Sequence, residues 1–378
     1  MKSSSTLKLV IVGGGYAGLS ALITFREYAS HAHIILIDPR PHHLIITRLH
    51  ESVRRPLESI QIPFSNLAKR FNFRHIQSYI ELNQDILSEW DRQKSLNVEG
   101  EIIYFDYILI ATGAISFDSD ISPNVHDLNS LSRNSFAKTL QKLISDTGLQ
   151  EPKINIIGAG PTGIQFSFEI ANVLLKCHRT FRLNLIDSNE KLLSRFPTQI
   201  SAYVEQKLSM KQIHIKNSQY YKGVKNNQIL LQNTNTGIES KMVSDLTLLL
   251  IGNKSKLILH ANLFGQVKLD NIILNHVYTA GDCSHFDQIG SNSLTSQSAI
   301  RKGKATAKNI LSKAGVIGFC LPYMHKDMGY LLSLGPNDAI GWIGNKSAII
   351  KGLPAFIAKE AIETRYNHRL LEFNSYFF

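Results

Sequence analysis

Two glycine-rich clusters, each followed by an aspartate, are the residues of this sequence best suited to chemistry. The clusters are Gly13-Gly14-Gly15-Tyr16-Ala17-Gly18 and Gly158-Ala159-Gly160-Pro161-Thr162-Gly163, and each directly follows a short apolar run. Asp38 and Asp187 come 20 and 24 residues after the last glycine of their cluster. Backbone N–H groups in such a turn at a helix start can bind a pyrophosphate, while the carboxylate can bind a ribose hydroxyl. The sequence therefore predicts two dinucleotide sites.

A third acid, Asp282, follows a glycine at the end of another predicted strand, Asn275 to Cys283. A carboxylate there can accept hydrogen bonds from polyol hydroxyls, which suits the ribityl chain of a flavin. Asp282 would otherwise serve as an N-cap for the helix predicted over 292–312 or for a nearby turn. Because Asp282 occurs beside two predicted dinucleotide sites, the sequence favours the flavin.

The elements that position these residues alternate between strands and helices, which indicates an α/β fold. A strand over 7–12 leads into a helix over 16–29, and the second cluster repeats this order within 151–240. Two further segments, 106–113 and 245–252, share a pattern of acid, apolar strand and glycine. We therefore predict a discontinuous first dinucleotide-binding domain, with the second domain inserted into it.

These motifs together resemble the two-dinucleotide flavoprotein superfamily and, within it, the type II NADH:quinone oxidoreductases and their apoptosis-inducing-factor-like relatives. Residues 158–169 resemble the GxGPTGxExxxE segment of that family, 296–303 its AQxAxQxG quinone-side segment and 329–338 its C-terminal glycine strand. The resemblance implies an α/β protein with two Rossmann-like dinucleotide-binding domains plus a small C-terminal domain. The implied ranges are an FAD-binding domain over 1–118 and 245–318, an inserted NAD(P)H-binding domain over 119–244 and a C-terminal domain over 319–378.

The resemblance also implies which residues bind the cofactors and which act in catalysis. It implies non-covalent FAD and NADH; NADPH is disfavoured because the Asp187 carboxylate repels a 2′-phosphate, although Lys191 and Arg195 weaken that preference. The implied cofactor-binding residues are Gly13, Gly15, Tyr16, Ala17, Gly18, Asp38, Ala111, Thr112, Gly113, Gly158, Gly160, Pro161, Thr162, Gly163, Asp187, Gly252, Gly281 and Asp282. The implied catalytic residues are Gln165, Glu169, Gln297 and Arg301, and no metal site is implied.

Three departures from the family pattern fall on the acceptor side of the flavin. Gln165 stands where the family usually has Glu, and Arg301 where it has the second Gln of the quinone-side segment. Thr47-Arg48-Leu49-His50 replaces the family's Pro-Leu-Leu-Tyr stretch. These differences concern the electron acceptor and its proton supply, and they leave the predicted FAD and NADH sites intact.

The implied function is transfer of a hydride from NADH to FAD and then of two electrons to a quinone, without proton pumping. The changed acceptor side leaves open a soluble NAD(P)H:acceptor diaphorase or a sulfide:quinone-type oxidoreductase. A third alternative is an NADH-binding redox sensor without turnover, which would gate a protein partner.

The formal net charge is +11, but the sequence has no run of five basic residues and no zinc-finger or RNA-binding signature. We therefore predict no nucleic-acid partner, and expect attraction to a phosphorylated cofactor or an anionic membrane surface.

A basic amphipathic helix from Leu353 to about Leu371, together with Phe373 and Tyr376-Phe377-Phe378, is predicted to contact the membrane or a homodimer partner. The predicted location is cytoplasmic, peripheral on the inner face of the cell membrane.

The three cysteines, Cys177, Cys283 and Cys320, lack the spacing of a disulfide framework or a zinc site. No cysteine precedes residue 177, so the redox pair of a disulfide reductase is excluded. A sulfide:quinone enzyme would have to pair Cys177 with Cys320 over the flavin. The sequence favours three reduced thiols, with Cys283 as a small packing residue.

A group of histidines, His42, His43 and His50, follows the first strand pair. Because their spacing does not match a metal site, we predict a solvated loop whose histidines face different ways. The alternative is catalytic, with His50 or Arg48 donating a hydrogen bond to a quinone carbonyl.

Overall fold

The computed structural model describes residues 6–116, 124–133, 136–146, 148, 150–178, 180–254, 257–287 and 292–371. By its internal contacts the chain divides into two compact units of three segments each. The first unit comprises Met1–Ile45, Gln61–Ile115 and Lys254–Lys326, and the second comprises Ile46–Ile60, Ser116–Asn253 and Asp327–Phe378. The four domain ranges remain predictions, and the predicted boundary after residue 118 lies outside the described residues.

The first unit is built on an eight-stranded sheet whose strands are parallel from Ile272–Thr279 to Arg74–Ile76. Strands such as Lys8–Val12 are apolar on both faces, as expected for a parallel sheet that is covered on both sides. In spatial order the strands are Ser284–Phe286, Leu259–Ala261, Gln266–Leu269, Ile272–Thr279, Tyr107–Ile110, Lys8–Val12, His33–Ile37 and Arg74–Ile76.

The helices of the first unit are Tyr16–Tyr28, Phe64–Phe71, Gln84–Gln93 and Ser296–Lys313. Two small antiparallel strand pairs complete this unit. They are His42–Leu44 with Gln61–Pro63, and Ser95–Val98 with Glu101–Tyr104. The helix Ser296–Lys313 begins at an N-cap threonine, because Thr295 Oγ1 accepts a hydrogen bond from the Ser298 amide at 3.2 Å. Asp282 is therefore not the N-cap of this helix, which removes one alternative that the sequence left open.

The second unit is built on a five-stranded sheet that is parallel throughout. In spatial order its strands are Val125–Asp127, Leu246–Leu249, Lys153–Ile157, Arg182–Ile186 and Ile213–Lys216. Its α-helices are Leu128–Arg133, Phe136–Ser145, Pro161–Lys176 and Thr198–Met210, and its 3-10 helices are Ile46–Val53 and Leu57–Ile60. Each unit thus contains one Rossmann-like parallel sheet, as the sequence predicts.

Two antiparallel sheets complete the second unit, followed by its last described helix, Leu353–Leu371. The strands are Gln219–Lys225, Gln228–Asn233 and Glu239–Val243 in one sheet, and Gly329–Ser333, Ala339–Ile343 and Ile349–Lys351 in the other. Two short strands, Ile115–Ser116 and Asn253–Lys254, occur at the chain positions where one unit ends and the other begins.

Candidate functional site

The predicted cofactor residues of the first unit lie at one edge of its parallel sheet. They follow the carboxyl ends of four adjacent strands, which is where ligands of open α/β sheets bind. The residues are Gly13, Gly15, Tyr16, Ala17, Gly18, Asp38, Ala111, Thr112, Gly113, Gly281 and Asp282.

The first glycine turn is closely packed on its protein side and open at its centre. Gly13 has a φ of +106°, and a Cβ there would lie 2.3 Å from the Ala111 carbonyl oxygen. A Cβ on Gly18 would lie 1.9 Å from the Gly13 carbonyl oxygen, so neither position accepts a side chain. By contrast, a Cβ on Gly15 would meet no atom within 4 Å. A ligand can therefore approach the backbone closely at Gly15.

The carboxylate of Asp38 is held between the glycine turn and an arginine. Its Oδ2 accepts hydrogen bonds from the Gly14 amide at 2.6 Å and from Arg40 Nη2 at 2.8 Å. Its Oδ1 accepts from the amide and Nε of Arg40. Burial alone raises the pKa of Asp38, but the hydrogen bonds and charge of Arg40 outweigh it, so that pKa lies below its ordinary value. Asp38 is thus an ionised acceptor at the strand end.

The carboxylate of Asp282 has a buried oxygen with no partner in the described part of the chain. Asp282 follows Gly281, which has a φ of +84°, and lies three residues past the end of the strand Ile272–Thr279; its Oδ1 has no hydrogen-bond partner among the described residues. Burial raises the pKa of Asp282 to about 6, although the positive charge of Lys302 partly opposes this rise. Buried polar atoms are normally hydrogen-bonded, so this oxygen is suited to accept from a ligand hydroxyl.

The second glycine turn reproduces the geometry of the first in the second unit. Gly158 has a φ of +102°, and a Cβ there would lie 2.3 Å from the Leu250 carbonyl oxygen. A Cβ on Gly163 would lie 1.9 Å from the Gly158 carbonyl oxygen, while one on Gly160 would meet no atom within 4 Å. The helix starts directly afterwards, with Pro161 in its first turn and Thr162 exposed. The backbone at Gly160 is therefore open to a ligand.

The carboxylate of Asp187 matches Asp38 in position but not in charge environment. Its Oδ2 accepts from the Ala159 amide at 2.6 Å, and its Oδ1 accepts from the amide and Nδ2 of Asn189 at 2.8 and 2.7 Å. Asn189 thus stands where Arg40 stands beside Asp38. Within the described residues, no ion pair joins Asp187 to Lys191 or Arg195. Gly252, after the adjacent strand Leu246–Leu249, is exposed with a φ of +96°.

The four predicted catalytic residues lie on two helices, one in each unit. Gln165 and Glu169 lie on Pro161–Lys176 in the second unit, and Gln297 and Arg301 lie on Ser296–Lys313 in the first. Gln165 and Gln297 are half-buried, and Arg301 Nη1 donates to the Lys326 carbonyl at 2.5 Å.

Glu169 is a buried carboxylate with a single cationic partner in hydrogen-bond contact. It is 1% exposed, and its Oε2 accepts from Arg54 Nε at 2.9 Å. Its Oε1 is buried and makes no hydrogen bond to any residue that the structure describes. Burial raises the pKa of Glu169 above its ordinary value, although the charge of Arg54 opposes this shift. A buried carboxyl group with a raised pKa is suited to take up and release a proton.

The predicted acceptor-side residue Arg48 is engaged in ion pairs inside the second unit. Arg48 Nη2 and Nε donate to Glu360 and Glu363 of the last helix, and Nε lies 3.5 Å from Glu51 Oε1. The three carboxylates lie within 4.8 Å of one another, but Arg48 already supplies a cation among them. The alternative in which Arg48 binds a quinone carbonyl is therefore disfavoured, because the guanidinium is already held by carboxylates through Nε and Nη2.

The prediction of a solvated histidine loop is wrong for two of the three histidines. His43 and His50 are 0% and 3% exposed, while His42 is half-buried. His43 Nδ1 donates to the Gly14 carbonyl at 3.0 Å, and its ring meets that of Tyr16 edge-on. The short strand His42–Leu44 carries His43 inward beneath the glycine turn, a packing that the polar sequence does not indicate.

The three cysteines are free thiols. Cys283 is buried, and its Sγ contacts the Ala280 and Ile110 carbonyl oxygens at 3.4 and 3.7 Å, so it packs at a strand end as predicted. Cys177 and Cys320 are exposed, and they belong to different units.

Sequence reasoning missed three cations that the structure places beside predicted acids. Arg40 contacts Asp38, Arg54 contacts Glu169, and the charge of Lys302 acts on Asp282. Only Arg40 had a local signal, because it lies two residues from its partner. Lys302 is 1% exposed, a burial that its residue type does not suggest.

The helix Leu353–Leu371 exposes several large apolar side chains, although Ala355, Lys359 and Leu370 are buried. The exposed residues are Leu353, Ile357, Ile362 and Leu371. In the described part of the chain, no helix has both the length and the apolar character needed to cross a bilayer. The predicted contacts of Phe373 and Tyr376-Phe377-Phe378 lie outside the described residues.

Comparison with known proteins shows what this chain resembles. Residues 7–303 match the family described as pyridine nucleotide-disulphide oxidoreductase. The mitochondrial internal alternative NAD(P)H-ubiquinone oxidoreductase A1 of Solanum tuberosum is 23% identical over 405 residues, covering 90% of this chain and 78% of that protein. The external alternative NAD(P)H-ubiquinone oxidoreductase B3 of Arabidopsis thaliana is 24% identical over 241 residues, covering 55% of this chain and 41% of that protein.

Two solved structures share the fold. NDH2 from Plasmodium falciparum in complex with NADH has a TM-score of 0.79 at 15% identity, covering 97% of this chain and 96% of that one. The sulfide:quinone oxidoreductase from Aquifex aeolicus has a TM-score of 0.78 at 16% identity, covering 97% and 92% of the two chains. The predicted fold class is thereby confirmed.

Proposed function

Because the chain belongs to the pyridine nucleotide-disulphide oxidoreductase family and is an oxidoreductase, we propose that it is an FAD-dependent NADH:quinone oxidoreductase that does not pump protons. The observation that carries the proposal is the pair of matching glycine turns, each open at its central glycine and each bonded to an aspartate through an amide at 2.6 Å. When bound, FAD supplies the redox chemistry, taking a hydride from NADH and giving two electrons to a quinone.

The residues of the first unit fit FAD. Gly15 gives the pyrophosphate access to the backbone at the start of the helix Tyr16–Tyr28, where N–H groups and the helix dipole favour an anion. The carboxylate of Asp38 is proposed to accept a hydrogen bond from a hydroxyl group of the adenosine ribose. Asp282 Oδ1, which is buried and has no partner within the described ranges, is proposed to accept a hydrogen bond from the ribityl chain, which NADH lacks. This unmatched oxygen is the reason for assigning the flavin to the first unit.

The residues of the second unit fit NADH. Gly160 gives access to the backbone at the start of Pro161–Lys176, and Asp187 stands ready to accept from the 2′-hydroxyl of the adenosine ribose. Because Asp187 has no cation paired with it in the described residues, it would repel the 2′-phosphate of NADPH. We therefore assign NADH as the preferred donor.

Gln165, Glu169, Gln297 and Arg301 are proposed to serve the reaction with the acceptor. Glu169 is buried and has a raised pKa, so we assign it to proton supply for quinone reduction, which consumes two protons. Gln297 and Arg301 are proposed to lie along the quinone. The mitochondrial relatives named above are NAD(P)H-ubiquinone oxidoreductases, which supports a quinone as the acceptor.

A sulfide:quinone oxidoreductase is the second candidate, because such an enzyme from Aquifex aeolicus shares the fold. That chemistry needs two cysteines at the flavin. Cys283 is a packing residue at a strand end, which leaves only the exposed Cys177 and Cys320 for the role. The thiols therefore favour NADH oxidation. A soluble diaphorase would differ from the proposed enzyme in its electron acceptor. A redox sensor would bind NADH without turning it over.

A peripheral position on an anionic membrane is proposed for the last helix. Leu353–Leu371 exposes Leu353 and Ile357, which lie four residues apart on one face of the helix, and it also carries basic residues, a pattern of helices that lie in the lipid interface. The alternative to a membrane is a second copy of the chain, which would contact the same exposed side chains in a homodimer.

The test is to mix the purified protein anaerobically with NADH, follow the flavin absorbance, and then add ubiquinone-1 or menadione. Bleaching followed by rapid reoxidation is the expected result. Bleaching without reoxidation by quinone would indicate a diaphorase with another acceptor. Failure of NADH to bleach the flavin, with bleaching by sulfide instead, would favour the second candidate.

A further inference from the structure

Lys302 is a lysine buried inside the first unit, on the helix Ser296–Lys313. Its side chain is 1% exposed, whereas lysine is rarely fully buried unless it is paired. The next residue, Gly303, is in backbone contact with the helix Tyr16–Tyr28, since a Cβ there would lie 2.1 Å from the Ala17 carbonyl oxygen. Lys302 is therefore anchored on a helix that packs directly against the first glycine turn.

The ammonium group of Lys302 contacts neutral acceptors only. Its Nζ donates to the Ser284 carbonyl at 3.0 Å, to Ser284 Oγ at 3.2 Å and to Asn292 Oδ1 at 3.0 Å. These contacts match the three donors of an ammonium group. Nζ also lies 5.0 Å from the centroid of the Phe286 ring. The lysine is thus fully hydrogen-bonded, but among the described residues no carboxylate is in direct contact with it to cancel its charge.

A chain of hydrogen bonds connects Lys302 to the turn that carries Asp282. Ser284 Oγ accepts from Lys302 and donates to the Gly281 carbonyl at 2.6 Å. Asp282 follows Gly281 and has the buried oxygen that lacks a protein partner. Burial lowers the pKa of Lys302 to about 8, and the negative charge of Asp282 opposes that lowering. The two charges therefore act on each other across the turn.

We propose that Lys302 is a positioning residue for the flavin, which fixes the Gly281–Asp282 turn through Ser284 and offsets the negative charge of Asp282. This inference rests on the proposed function, because Asp282 is there assigned to the ribityl chain. Reduction adds negative charge to a flavin, and an uncompensated buried carboxylate would oppose that change. The positive charge of Lys302 offsets the unfavourable effect of the Asp282 carboxylate on flavin reduction. Because Lys302 does not bind the carboxylate directly, Asp282 can still accept hydrogen bonds.

The test compares variants of the FAD-loaded full chain by two readouts, the midpoint potential of the bound flavin and the fraction of flavin retained on gel filtration. Lys302→Gln keeps a hydrogen-bond donor and removes the charge. Ser284→Ala keeps the charge and breaks the connection to Gly281. Lys304→Gln, on the same helix and only half-buried, makes the same change in net charge and is the control.

We expect Lys302→Gln to shift the oxidised-to-reduced ratio of the flavin at least tenfold towards the oxidised form, about 30 mV for a two-electron couple. Ser284→Ala should lower flavin retention and leave the potential unchanged, and Lys304→Gln should leave both unchanged. If Lys302→Gln does not fold, the Ser284→Ala result still decides the positioning role. Retention unchanged in Ser284→Ala, or a potential unchanged in Lys302→Gln, would overturn the inference.

The failure of this inference is distinct from failure of the proposed function. A wild-type protein that retains flavin and is bleached by NADH, with variants that behave as wild type, removes the role of Lys302 alone. A wild-type protein that takes up no flavin removes the proposed function, and the role of Lys302 with it.

Discussion

Arg54 Nε lies 2.9 Å from Glu169 Oε2, and this contact joins the turn after the 3-10 helix Ile46–Val53 to the helix Pro161–Lys176 within the second unit. Glu169 is 1% exposed, and Arg54 is partly exposed. The arginine thus supplies the charge that allows a carboxyl group to be ionised in a buried position. The contact between Arg54 and Glu169 therefore links the stability of the second unit to the protonation state of Glu169, the residue that we assign to proton supply.

Arg54→Met is expected to destabilise the protein by about 3 kcal/mol, because it leaves Glu169 buried without its cation. The free energy of unfolding in urea measures this loss. Arg182→Met is the matched control, since it removes an arginine from an exposed pair with Glu151 in the same unit and should cost at most about 1 kcal/mol. Equal losses in the two variants would contradict the prediction.

Acid should destabilise the protein between pH 6.5 and 4 through His43. Burial lowers the pKa of His43 to about 4, so the folded state stays neutral where the unfolded state binds a proton. Stability is therefore lost as the pH falls through this interval, by about 3 kcal/mol at pH 4. The buried His50, whose pKa is also lowered, acts in the same direction.

Urea unfolding at pH 7, 6 and 5 gives the slope of stability against pH. His43→Asn retains a donor for the Gly14 carbonyl and should reduce the slope, because the buried titratable group is gone. His33→Asn, at an exposed position, should leave the slope as in wild type. A slope that His43→Asn does not change would show that His43 is not the source.

Asp187→Ser should move the nucleotide preference towards NADPH. Serine retains an oxygen that can accept from the Ala159 amide, while the charge that repels a 2′-phosphate is lost. We expect the ratio of kcat/KM for NADPH to that for NADH to rise at least tenfold. Asp245→Ser is the control, because this aspartate bonds to the Lys153 amide at the opposite end of a neighbouring strand. A ratio that rises equally in both variants would refute the assignment.

The two open glycines should separate flavin binding from NADH binding. Gly15→Ala places a methyl group where the flavin pyrophosphate is proposed to lie, and should raise the Kd for FAD at least tenfold. Gly160→Ala should raise the Kd for NADH by a similar factor and leave the flavin content unchanged. Neither methyl group meets a protein atom within 4 Å, so thermal unfolding of the flavin-free protein should not change. Flavin loss in Gly160→Ala would reverse the assignment of the two units.

The last helix should contribute to membrane binding through the face that exposes Leu353 and Ile357. Leu353→Glu and Ile357→Glu are expected to lower partitioning into phosphatidylglycerol vesicles at least tenfold each, because each removes an apolar side chain from the lipid contact. Ile238→Glu, at a position in the same unit that is also largely exposed, is the control. Unchanged binding together with a change from dimer to monomer would assign the face to a second copy of the chain.

The fold was predictable because its signals are local in the sequence. Gly13 to Gly18 and Gly158 to Gly163 each lie between an apolar strand and a helix, and parallel pairing of the following strands brings Asp38 and Asp187 back to these turns. The amide contacts of the two aspartates, each 2.6 Å long, follow from this order of elements. The placement of Asp282 at the same edge was predictable for the same reason.

The sequence by itself thus determined the two parallel sheets and the positions of the glycines and aspartates, because a glycine turn after a buried strand has few conformations available. Only the tertiary structure decided the charge environment of these groups. Arg48 pairs with Glu360 across 312 residues, Arg54 reaches Glu169 across 115, and His43 is buried despite its polar neighbours. Such contacts depend on which surfaces the folded chain brings together, and residue type and local spacing carry no signal for them.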